Sequence, residues 1–152
     1  MRRVLLGKVV RSRLLCRLLN HNKNKIMEKI FMVEDDPLMD RMYGRAFRST
    51  GYELQMASDG DEASAKLAAM DTPPAIILLD VMMPKKNGFE ILEEIKQNAK
   101  LKDTPVVMLT NLAGQPDMIK AMNLGATAYL VKTQYDPKEL LAKIIEIIKQ
   151  KK

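Results

Sequence analysis

Ala75-Ile76-Ile77-Leu78-Leu79-Asp80-Val81-Met82-Met83-Pro84-Lys85-Lys86-Asn87-Gly88 is the stretch on which the fold turns. Residues 75–79 form an unbroken apolar run, bounded by Pro74 before it and a turn after it. A short run without polar alternation reads as a strand covered on both faces, as in a parallel sheet. Asp80 then stands at the carboxyl end of that strand, where open α/β sheets place their ligand crevices. An isolated acid there reads more readily as a turn cap than as a site, so the rest of the chain must decide.

Outward from this strand the same alternation repeats. Lys29 to Val33 reads as strand one, ending in Glu34-Asp35-Asp36. Asp36-Pro37 is a helix start, with Asp as N-cap and Pro at the first helical position. Leu38, Met39, Met42, Tyr43, Ala46 and Phe47 follow at helical spacing, and Gly51 is expected to close that helix. Tyr52 to Ala57 is the second expected strand. Ser58-Asp59-Gly60 opens helix two, with Ala63, Leu67 and Met70 inward, and Thr72-Pro73-Pro74 breaks it.

Beyond Gly88, residues Phe89, Ile91, Leu92 and Ile95 suggest helix three. A polar loop over 100–104 leads to strand four, Pro105 to Leu109, ending at Thr110. Pro116 starts helix four, whose apolar residues are Met118, Ile119, Met122 and Leu124, and Gly125 ends it. Ala128 to Val131 is strand five, ending at Lys132. Asp136-Pro137 repeats the cap-and-proline device before a last helix with an unusually wide apolar stripe. Leu140 and Ile147 at the edge of that stripe read equally well as buried or as exposed for a partner. Five strands alternating with five helices argue a doubly wound parallel sheet with helices on both faces.

The chain has 152 residues, 47% of them hydrophobic and 29% charged, which suits one ordinary globular domain. The 12 methionines read mainly as adaptable core filler. No apolar run approaches the roughly 20 residues of a membrane span. The lone Cys16 excludes an internal disulfide and fits a cytoplasmic location, and His21 with Cys16 is a poor metal site.

The net charge of +6 is unevenly placed: residues 1–25 hold eight bases and no acid, leaving the remainder at −2. A high isoelectric point here therefore describes an appendage rather than a nucleic-acid-binding domain. The appendage has a broken apolar region and no small-residue cleavage site, so it is a poor secretory signal. It reads as a membrane-surface or nucleic-acid arm using the Leu14, Leu15, Leu18 and Leu19 face, as an extra helix, or as a functionless extension. The natural-looking start at Met27 favours the last. The expected division is a basic extension over 1–26, disordered or a start-site artefact, and a folded domain over 27–152.

Three strands end in residues fit for one chemistry: Glu34 and Asp35 after strand one, Asp80 after strand three, and Lys132 after strand five, with the hydroxyl of Thr110 after strand four. In a parallel sheet these ends share one edge. Three carboxylates brought together need a cation, and hard oxygen ligands in this number suit Mg²⁺. Carboxylate, metal, Lys and hydroxyl together match what phosphoryl transfer requires.

At this point the sequence closely resembles the receiver domains of two-component response regulators, over residues 28–150. The resemblance rests on Val33-Glu34-Asp35-Asp36, Leu78-Leu79-Asp80-Val81-Met82-Met83-Pro84 with Gly88 following, Met108-Leu109-Thr110, and Ala128-Tyr129-Leu130-Val131-Lys132. It implies a flavodoxin-like sheet of strand order 2-1-3-4-5 with Asp80 as phospho-acceptor. It implies Mg²⁺ held by Glu34, Asp35, Asp80 and the main-chain carbonyl of Met82. Thr110 and Lys132 would contact the phosphoryl oxygens, and Tyr129 would be the switch aromatic paired with Thr110. Phosphorylation by a histidine kinase or phosphotransfer protein would then remodel the face of helix four, strand five and helix five for an output protein or a dimer partner. The chain would be no enzyme beyond promoting its own phosphorylation and dephosphorylation.

Two departures stand out. The family joins this Lys to a Pro by a cis bond; here Thr133 follows, and the resemblance predicts a cis Lys132–Thr133 bond. Asn111 replaces the small residue often found after the Thr.

Rival classes fit less well. An electron carrier of the same topology needs a hydroxyl-rich phosphate loop where this chain has three acids. An aspartate-nucleophile phosphatase needs a second Asp where Met82 stands. A DNA-binding regulator is disfavoured, because the chain is expected to stand alone without an output domain. The alternative kept open is a receiver-like interaction module that works without phosphorylation.

Overall fold

The computed structural model describes residues 27–151. The basic leader with its Leu14–Leu19 face, Cys16 and His21 lies outside the described residues.

Five parallel strands form one sheet in the order β2-β1-β3-β4-β5. They are β1 Lys29–Val33, β2 Glu53–Ala57, β3 Ile76–Leu79, β4 Val106–Thr110 and β5 Ala128–Val131. The helices between and after them are α1 Pro37–Phe47, α2 Gly60–Ala68, α3 Gly88–Gln97, α4 Gln115–Asn123 and α5 Pro137–Lys151. The fold expected from the alternation is the one observed.

Strand β3 shows why an unbroken apolar run was required. Successive strand side chains point to opposite faces, and both faces of β3 are covered. Ile77 and Leu79 join Phe31, Val33, Ala63, Leu67, Ile91, Leu92 and Ile95 in one core layer beneath α2 and α3. Ile76 and Leu78 join Ile30, Met32, Tyr43, Phe47, Ile144 and Ile148 in the other, beneath α1 and α5. Each fully buried Ile, Leu or Phe contributes roughly 1.5–3 kcal/mol of burial free energy. The parallel pairing Ile30↔Ile76 and Ile77↔Val106 fixes the register that brings the strand ends to one edge.

The helix starts follow local chemistry. Asp36 accepts a hydrogen bond from the Leu38 amide at 2.9 Å, with Pro37 in the first turn. Asn87 and Glu90 close a reciprocal capping box on α3. Asp59 caps α2 by accepting from the Glu62 amide.

Several sequence expectations are corrected. Helix α1 ends at Phe47, and Gly51 (φ +78°) shapes the turn into β2 rather than closing the helix. Its apolar face is narrower than the spacing suggested, for Leu38 is 73% exposed and Met42 is exposed too. In α4 only Ala121 is buried, whereas Met118, Ile119 and Met122 face outward. The small Ala121 sits where the helix meets the domain, which leaves the longer side chains on the far side. The methionines divide accordingly: Met32 and Met108 are core, while Met27, Met42, Met82, Met118 and Met122 are exposed.

The expected polar loop over 100–104 contributes Leu101 and Thr104 to the interior. Leu140 and Ile147 are both buried, which settles the two readings of α5. Among the described residues no peptide bond is cis, so the predicted cis Lys132–Thr133 bond is wrong. A 3-10 turn over Lys132–Gln134 leaves β5 with trans geometry, and the Lys132 side chain reaches the strand ends from there. A cis bond before a non-proline costs about 3–4 kcal/mol. Among the described residues, no helix is long and apolar enough to cross a membrane.

Candidate functional site

The carboxyl ends of β1, β3 and β5 deliver their polar residues to one spot. Lys132, the first residue past β5, donates through Nζ to Asp80 Oδ2 at 2.8 Å and to Glu34 Oε2. All three side chains are buried. The second oxygen of Glu34 accepts from the Asp36 amide at 3.1 Å, and Asp80 Oδ1 accepts from the Met82 amide at 3.1 Å. Asp35 lies beside them but exposed, and Glu34, Asp35 and Asp80 each offer an oxygen within 4.8 Å of the others.

Burial pushes the Glu34 carboxyl above its ordinary range. Its hydrogen bond from Lys132 pulls the other way without cancelling the rise. Burial also acts to lower the Lys132 ammonium, but its hydrogen bonds to Asp80 and Glu34 outweigh that and hold it above the usual lysine value. The two directions agree physically. Two carboxylates face one ammonium, so Lys132 is doubly compensated while the acids remain in excess.

With Asp35 included, three carboxylates stand against one Lys. That excess of negative charge, on hard oxygen donors with one exposed member, fits a divalent cation. Glu34, Asp35 and Asp80 form the Mg²⁺ site of this fold. Met82 is in the loop directly after Asp80 with its side chain exposed; its amide, not its side chain, engages Asp80.

Thr110 and Tyr129 are nearby but tied elsewhere. Thr110 is fully buried at the end of β4, and its Oγ1 accepts from the Leu112 amide at 3.3 Å. The Tyr129 hydroxyl donates to the Leu112 carbonyl at 2.8 Å. Partial burial raises the Tyr129 phenol above its ordinary value. Both residues therefore grip the segment between β4 and α4, one from each side of Leu112.

In the sequence Gly88 stands only as a motif position. A Cβ there would lie 2.2 Å from the Asp80 carbonyl oxygen, so the start of α3 presses against the Asp80 main chain. Lys85 and Lys86 lie in the same loop and carry no motif of their own in the sequence. The only signal for them was their place between two motif positions.

Comparison with known proteins agrees with this geometry. The family model described as "Response regulator receiver domain" matches residues 30–145. Among curated proteins, the transcriptional regulatory protein CpxR of Klebsiella pneumoniae is 37% identical over 124 residues, covering 82% of this chain and 50% of CpxR. The chain thus spans about half the length of the curated relatives it matches. Among solved structures, the chemotaxis response regulator CheY4 of Vibrio cholerae matches with a TM-score of 0.72 and 31% identity, over 80% of this chain and 98% of that one. A Mn(2+)-bound form of the response regulator Rcp1 matches with a TM-score of 0.65 and 33% identity, over 80% of this chain and 88% of that one.

Proposed function

This chain belongs to the response regulator receiver domain family, and from that premise we propose a phosphorylation-controlled protein-binding switch with Asp80 as the phospho-acceptor. The observation that carries this reading is the buried contact of Lys132 Nζ with Asp80 and Glu34 beside exposed Asp35. A carboxylate oxygen of Asp80 attacks phosphorus, the new O–P bond forms, and the donor's bond to phosphorus breaks. Lys132 meets the incoming negative charge. Glu34, Asp35, Asp80 and the main-chain carbonyl of Met82 would hold Mg²⁺, which would supply charge neutralisation at the phosphoryl oxygens. The chemistry is the chain's own phosphorylation and dephosphorylation, not turnover of an external substrate.

The phosphoryl donor in this reading is a histidine kinase or phosphotransfer protein in the cytoplasm. Thr110 moves toward the phosphoryl group and Tyr129 follows, which loosens their shared hold on Leu112. The response surface comprises α4, β5 and α5, where Met118, Ile119 and Met122 expose apolar area suited to an output protein or a second copy of the chain. Residues 27–152 carry the function, and residues 1–26 are a basic extension outside it.

The test is amide NMR of the protein with Mg²⁺, before and after adding beryllofluoride as an aspartyl-phosphate mimic. Shifts at residues 110–131, and along the facing part of α5, are expected. Changes confined to the Asp80 loop would refute the switch.

A further inference from the structure

The loop from Val81 to Asn87 carries the main chain that meets Asp80, and it is fastened at both ends of its span. At its base the Gly88 amide donates to the Val81 carbonyl at 3.0 Å. At its far side it lies directly on the first turn of α2. A Cβ on Gly60 would come within 2.4 Å of the Lys86 Cβ, and the Gly60 amide donates to the Pro84 carbonyl at 3.4 Å.

Two adjacent lysines then pin the loop from above. Lys85 Nζ meets Asp59 Oδ2 at 3.2 Å, and the same Asp59 caps α2. Lys86 Nζ meets Glu94 Oε1 of α3 at 2.6 Å and Ser64 Oγ of α2 at 3.3 Å, while Ser64 itself donates to Glu94 Oε2 at 2.6 Å. Lys85 holds φ +70°, the left-handed region that a side chain with a Cβ enters only at a cost. The loop therefore carries backbone strain at the residue whose ammonium meets Asp59.

We propose that Lys85 and Lys86 are positioning residues: by tying the 81–87 loop to Asp59, Ser64 and Glu94, they hold the Met82 main chain in place for the cation bound at Glu34, Asp35 and Asp80. This rests on the reading of that cluster as a Mg²⁺ site. Rigid support matters because a ligand on a free loop must be ordered each time the ion binds, which lowers affinity.

Sign separates this role from a simple charge effect. Lys86 is a cation in a loop that borders three carboxylates. If it acted only through its field, Lys86→Met would make the site more negative and bind Mg²⁺ more tightly. If it positions the loop, the same substitution binds Mg²⁺ more weakly.

The experiment is isothermal calorimetry of Mg²⁺ binding to the full chain and its variants, with urea midpoints recorded in parallel. Lys86→Met is expected to weaken binding about threefold, the scale of one exposed ion pair, with a near-wild-type urea midpoint. Lys86→Arg should restore affinity, and Lys85→Met/Lys86→Met should weaken it further. Glu94→Gln should add nothing in the Lys86→Met background, because the pair is already broken. Asp35→Ala gives the much larger loss expected of a missing ligand. Unchanged or tighter binding by Lys86→Met, while Asp35→Ala binds poorly, overturns the positioning role and leaves the metal site standing. Absence of binding by the unmodified chain overturns both.

Discussion

Replacing Lys132 by Met removes the only ammonium that contacts Glu34 and Asp80 among the described residues. The aliphatic stem is largely kept, so the perturbation is electrostatic. The two acids are left buried, with oxygens no more than 4.8 Å apart. At an effective dielectric of about 20, two unit charges at that spacing repel by about 3 kcal/mol. Breaking a buried pair from one side costs on that scale as well. We expect Lys132→Met to lose about 3 kcal/mol of stability near pH 8 without divalent cations, measured by urea unfolding.

The pH dependence has a definite sign. Glu34 already has a raised folded-state pKa from burial, and losing Lys132 raises it further. An acid with a raised folded pKa favours the fold below its unfolded pKa, and that advantage disappears as pH rises through the folded value. The deficit of Lys132→Met should therefore shrink toward pH 5 and grow toward pH 8. Excess Mg²⁺ should recover most of it by binding only the folded state. A variant as stable as the unmodified chain at both pH values in chelator would refute the description of Glu34, Asp80 and Lys132 as one coupled cluster.

Gly88→Ala should destabilise by about 2 kcal/mol and weaken Mg²⁺ binding, since the new Cβ meets the Asp80 carbonyl oxygen at 2.2 Å and neither main chain can yield freely; an unchanged urea midpoint would contradict that contact. Glu62 is held at about 2, from an ordinary 4.5, by hydrogen bonds from Lys66 and Ser58. The support it gives α2 should be present above pH 4.5 and disappear as pH falls through about 2. A carboxyl-carbon NMR titration with a midpoint near the ordinary value would disprove the interaction.

The sequence carried the fold through features that have one physical meaning. The unbroken run in β3 has no alternative role in a half-exposed sheet, and Asp36-Pro37 and Asp59-Gly60 mark helix starts by backbone chemistry. The acids and Lys132 were legible as a group because each ends a strand and parallel strands share an edge. What stayed hidden depends on packing. Helical spacing places Met118, Ile119 and Met122 on α4, but it does not say that the small Ala121 is the residue that seats the helix. Nothing in Glu34-Asp35 tells which acid is buried against Lys132 and which faces solvent. The cis bond was carried over from a family that has proline there, and the trans turn at Lys132–Gln134 shows that the reach is achieved without it.

The most direct test of the central claim is intact-mass measurement of the full chain and its Asp80→Ala variant after incubation with a small phosphodonor, each with Mg²⁺ and with chelator. The account predicts one added phosphoryl group on the unmodified chain in Mg²⁺ and none in chelator or on Asp80→Ala. Equal labelling of Asp80→Ala, or none on the unmodified chain with Mg²⁺ bound, would contradict it.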